Sequence, residues 1–90
     1  MVAKADVMMA AANEMAGLWR AVDPQDRERF GCRWFNRQDR LLHRGEFDAR
    51  AARADAERVG RKAVNARDWA AFFDKAIAFF MKIAPLFIKA

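Results

Sequence analysis

The segment from about 66 to 84 constrains the fold more than any other part of the chain. Trp69, Ala76 and Ile83 recur at seven-residue steps, as do Phe72, Phe79 and Leu86, and Phe73, Phe80 and Phe87. Lys75, Lys82 and Lys89 form the opposing row. Such a repeat is the signature of a helix that packs along its whole length. Ala70, Ile77, Ala84 and Ile88 widen the apolar arc past half the circumference. A helix at the edge of a small bundle needs an apolar stripe only a little wider than ~100°, so the surplus must be buried. It can lie at the centre of a monomeric bundle, against a second copy or a helical partner, or in a membrane interface with the lysines above the aromatics. Asp74, Lys75 and Lys82 argue against a membrane span. The other helices look too thin to cover so much aromatic area. The expectation is therefore an oligomer or partner interface built from Trp69, Phe72, Phe73, Phe79, Phe80, Ile83 and Phe87.

The rest of the chain also reads as helix. There is no sustained alternation, no threonine, and only five valines and three isoleucines. A first helix is placed at about 4–22, where Val7, Met8, Ala11, Ala12, Met15, Leu18, Trp19 and Val22 recur at three- and four-residue steps. Asp23-Pro24-Gln25-Asp26 is the clearest start signal, with Asp23 as N-cap and Pro24 in the first helical position. The second helix then runs over about 24–44, with His43 and Arg44 at its C-terminal dipole and Gly45 as a left-handed stop. A third covers about 46–64 and has a smooth face of Ala49, Ala52, Ala56, Val59 and Ala63. Glu46/Arg50, Arg53/Glu57 and Glu57/Arg61 are opposite charges at i,i+4, which suggests a self-compensated solvated face. Asn65 followed by Asp68 can restart the chain as a fourth helix over about 66–84, unless the third and fourth are one rod. Pro85 ends or kinks it. The fold class is all-α, a single domain spanning 1–90 as a small bundle of three or four helices that is expected to be oligomeric.

Composition removes whole classes of chemistry. The chain has no serine, threonine or tyrosine. That excludes a Ser or Thr nucleophile, a Walker-type phosphate loop and hydroxyl phosphorylation. One cysteine excludes an internal disulfide and a multi-cysteine metal site. Cys32, Asn36, Asp39 and His43 lie along one line of the second helix. At 1.5 Å per residue Cys32 and His43 are about 16 Å apart, too far for a nucleophile–base pair. Cys32 is expected to be a small buried residue and His43 a C-terminal capping cation. Asp48 and Asp55 are read as surface charges. No catalytic residue, metal, cofactor or small-molecule substrate is expected. A free cysteine, no visible secretion signal and no apolar run of membrane-spanning length favour the cytoplasm.

Charge supplies the functional pointer. Seventeen basic residues against twelve acidic give a net charge of +5, and twelve of the basic residues are arginine. At about 100° per residue, Arg29, Arg33, Arg37, Arg40 and Arg44 fall within a sector of roughly 80° on the second helix. Like charges at i,i+4 repel by a few tenths of a kcal/mol per pair. Arginine in place of lysine suits planar, bidentate recognition of phosphate or carboxylate. The bland alternative is pairing with acids such as Asp48, Asp55 and Asp74, or stacking over aromatics. The reading favoured by the stripe is a non-catalytic interaction protein that binds an anionic partner, with nucleic acid ahead of an acidic protein, and that also suits an accessory or inhibitory role. A peripheral membrane protein using the C-terminal helix is the alternative.

Overall fold

The computed structural model describes residues 4–87. Four helices succeed one another: α1 (Lys4–Ala21), α2 (residues 24–43), α3 (Ala49–Gly60) and α4 (Ala66–Ile83). A 3-10 turn, Ala84–Phe87, follows where Pro85 forbids further α-helix. No strand occurs among the described residues. Ile88, Lys89 and the side chain of Val7 lie outside the described residues.

Local chemistry sets most of these boundaries. The Asp23 carboxylate accepts from the Gln25 amide at 2.9 Å and Pro24 occupies the first turn of α2. At the other end Glu46 N–H donates to the Leu41 carbonyl and Gly45 N–H to that of Leu42, while Gly45 sits at φ 72°. This is the Schellman closure that a glycine permits. The start of α3 falls three residues later than its sequence suggests. Asp48 is extended and accepts from the Arg50 amide at 3.0 Å, so the helix begins at Ala49 and residues 46–48 form a linker.

Two features were not foreseen. Residues Arg27–Gly31 of α2 are wound as a π-helix, with the Cys32 amide donating five residues back to the Arg27 carbonyl. Gly31 closes that stretch beneath the Trp19 ring of α1, where a Cβ would come within 2.9 Å of the indole. The second feature separates α3 from α4. Asp26, wholly buried, accepts from the Val64 amide at 2.7 Å and the Asn65 amide at 3.0 Å. Those two amides are thereby taken out of any continuous rod. Asn65 then caps α4, its side-chain oxygen accepting from the Asp68 amide and its side-chain N–H donating to the Asp68 carboxylate.

α4 is the central element, flanked by α1 and α3. The small face of α3 lets it come close: Ala52 and Ala56 are buried, and a Cβ on Gly60 would lie 2.8 Å from the Trp69 ring. The indole N–H groups of Trp34 and Trp69 donate to the Ala52 and Ala56 carbonyls at 3.0 and 2.9 Å. Two tryptophans from two helices thus hold α3 in place. α2 reaches α4 through large rings, with Trp34 5.4 Å from Trp69 and Phe35 5.2 Å from Phe80, centroid to centroid. Phe47 of the linker closes the far end against Phe80 at 5.3 Å.

This packing corrects the expectation for the aromatic helix. Trp69, Phe72, Phe73 and Phe80 are at most 5% exposed and Ile83 is 9% exposed within one copy of the chain. Phe79 and Phe87 are half-buried, Phe87 lying 4.7 Å from the His43 ring. Trp69, Phe72, Phe73, Phe80 and Ile83 are core residues of a single chain, while Phe79 and Phe87 lie partly exposed at its margin. The miscount was of cover: Trp34 and Phe35 bring far more area to α4 than a thin helix would. Each such burial stabilises by roughly 1.5–3 kcal/mol. The exposed residues of α4 are Ala66, Arg67, Ala71, Asp74, Ala78, Met81 and Lys82. The large exposed apolar residues Met9, Val64, Met81 and Leu86 stand on four different segments. No described helix is long and apolar enough to cross a membrane.

Candidate functional site

All five arginines of the α2 stripe are exposed. None of them belongs to an ion pair among the described residues. Of the acids proposed as their partners, Asp55 pairs with Arg58 and Asp74 with Arg53, while Asp48 lines a concavity with Arg37 without an ion pair. The two arginines laid over rings are Arg27, 5.9 Å from Trp19, and Arg53, 5.6 Å from Phe73. Neither is in the stripe. The three i,i+4 ion pairs expected along the third helix do not form; Arg53 reaches across to α4 instead.

The stripe is not one uniform row. Its first three members line an open cleft between α2 and α3, whose larger compartment has a volume of about 410 Å³. Arg29 and Arg33 face it from α2, and Arg58, Arg61 and Lys62 from the end of α3 and the turn after it. Phe30 and Val59, both half-buried, form its floor. That compartment has no acidic residue in its lining. An adjoining compartment adds Arg37, the edge of Trp34, and Asp55 with its partner Arg58. Arg40 and Arg44 continue beyond the cleft along α2 and its C-terminal turn. The π-helical stretch shifts the phase assumed for Arg29, yet Arg29 and Arg33 still line the same compartment.

The α3 half of the site escaped the sequence reading. Arg58, Arg61 and Lys62 lie three and four residues apart, a spacing that places them on one helix flank. Their proximity in sequence to Asp55 and Glu57 made the flank look neutral. In the structure Glu57 lines a neighbouring concavity with Arg61, Ala66 and Trp69, without forming an ion pair. Asp55 is the only acid in an ion pair with a cleft cation among the described residues, although Glu46 and Asp48 line a concavity with Arg37, and Glu57 one with Arg61. The signal available was the 58/61/62 spacing itself, weighed against acids by face instead of by count.

Electrostatically, the cleft lining gathers six cations and Asp55 over Phe30 and Val59, with Glu46, Asp48 and Glu57 at its margins. Focusing of this kind raises the local concentration of anions and speeds their encounter. Guanidinium forks on both walls can each grip a phosphate or carboxylate through paired N–H donors.

The remaining sequence candidates are dispersed. Cys32 is exposed, correcting its expected burial, and sits at the rim of an apolar pocket of about 350 Å³ with Met15, Trp19, Phe35, Asn36 and Phe72. Nδ1 of His43 donates to the Asp39 carbonyl at 2.9 Å, a local tie at the end of α2. No group of three or more His, Cys, Asp or Glu side chains is disposed to hold a metal among the described residues. No protein-family model, curated protein or solved structure was found to match the chain.

Proposed function

We propose that this protein is a small, non-catalytic binder of nucleic acid that holds the phosphate backbone in the basic cleft between α2 and α3. The observation that carries the reading is convergence: cations from two separate helices line one cavity, and the α2 arginines have no intramolecular partner. Backbone contacts of this type supply affinity with little sequence preference. Arg40 and Arg44 extend the track beyond the cleft. Operation in a reducing cytoplasm suits the exposed Cys32. A second copy of the chain is not needed for this site, because both walls come from one chain.

The test is fluorescence anisotropy of a labelled nucleic acid titrated with the protein at two salt concentrations. With about four phosphate contacts, affinity falls roughly a hundred-fold between 50 and 200 mM salt. The Arg33→Ala/Arg37→Ala/Arg58→Ala variant loses most of the low-salt binding while keeping its helical circular dichroism. Salt-independent binding, or full affinity in that variant, would refute the proposal. Equal affinity for polyglutamate would move the assignment to an acidic protein partner.

A further inference from the structure

We infer that the cleft takes an unpaired nucleic-acid strand, with phosphates on the two basic walls and a base against Phe30. This inference rests on the phosphate-binding proposal and specifies its substrate.

The argument is geometric. A helix that reads duplex DNA must stand proud enough to enter a major groove about 12 Å wide. The basic face of α2 is not proud. Over Arg29 and Arg33 it is walled by the end of α3 and the turn after it, where Arg58 and Arg61 line the same space. The cations therefore line an open concavity of about 410 Å³. A single nucleotide matches that scale; a duplex, rigid and convex, meets only the rims. The floor is the second observation. Phe30 is half-buried and lines both compartments, so it remains open to a ligand between the arginines while its packing against Trp69, at 5.0 Å and 80°, holds the ring in place. A held aromatic between basic walls is the arrangement on which unpaired bases stack, and every base offers a π-face to it. Duplex bases are already stacked on each other and have no face to give.

The decisive comparison uses the unaltered protein and three probes of one length at one salt concentration: oligothymidylate, the same oligomer without bases, and a blunt duplex. The expected order places oligothymidylate at least about five-fold tighter than the abasic oligomer, the lower end of what one base–aromatic stack contributes. The duplex binds more weakly than oligothymidylate. Phe30→Leu, which keeps the apolar floor, reduces oligothymidylate affinity to the abasic level and leaves abasic binding unchanged. Equal affinity for oligothymidylate and the abasic oligomer, or tighter binding of the duplex, overturns the inference and leaves phosphate binding standing. Failure of all three probes to bind overturns both. If Phe30→Leu does not fold, the three-probe comparison still decides.

Discussion

Asp26 is completely buried, and both of its oxygens accept backbone amides from the turn between α3 and α4. Removing the carboxylate takes the protein acceptor from both part-buried N–H groups and leaves a gap where a wholly buried side chain stood. Asp26→Ala is therefore expected to cost about 3 kcal/mol, lowering Tm by roughly 10–20 °C for a domain of this size. Asp26→Asn, which retains one good acceptor, falls between the two in a thermal melt. Gly60 makes a second test at this scale. Alanine is the better helix former, but its Cβ would sit 2.8 Å from Trp69, and Gly60 is the last residue of α3, where propensity counts least. Gly60→Ala is expected to destabilise by about 1–3 kcal/mol in chemical denaturation. Neither role was readable from the chain. Asp26 shows locally as a first-turn charge, and its acceptors' donors are 38 and 39 residues away.

Among the elements, α4 shows where pattern reading succeeds and where it stops. Its helical periodicity, its Asn65 cap and its end before Pro85 are all visible in the sequence, because each is fixed by chemistry within a few residues. What covers it is not visible, because cover comes from Trp34, Phe35 and Phe47, whose orientation depends on how α2 crosses. The π-helical stretch in α2 belongs to the same class: Arg27–Gly31 reads as ordinary helix, and only the seat it makes for Trp19 explains Gly31. The distinction between core and interface can be measured. Phe80→Ala is expected to cost about 3–5 kcal/mol, with loss of cooperative melting in circular dichroism. Were Phe80 an interface residue, the same change would leave each subunit folded and alter the mass seen by light scattering.

At the scale of the whole molecule, the fold brings two charged flanks together that are separate along the chain. One flank was legible: the four-, four-, three-, four-residue spacing of arginines on α2 is a property of a single helix. The other was not, because the facing of α3 toward α2 depends on Trp34 and Trp69 pinning the Ala52 and Ala56 carbonyls. The result concentrates like charge that costs some stability, with Arg58 the one cleft cation held in an ion pair, to Asp55. Substituting an exposed cleft arginine should accordingly change stability by no more than about 0.5 kcal/mol. The most direct measurement is the slope of log affinity for a single strand against log salt, for the protein, for Arg33→Ala on α2 and for Arg61→Ala just beyond α3. Each substitution is expected to reduce the slope by about 0.7, one phosphate contact on a single strand. A slope that responds to Arg33→Ala and ignores Arg61→Ala would mean the strand follows α2 alone, contradicting a cleft shared by both helices.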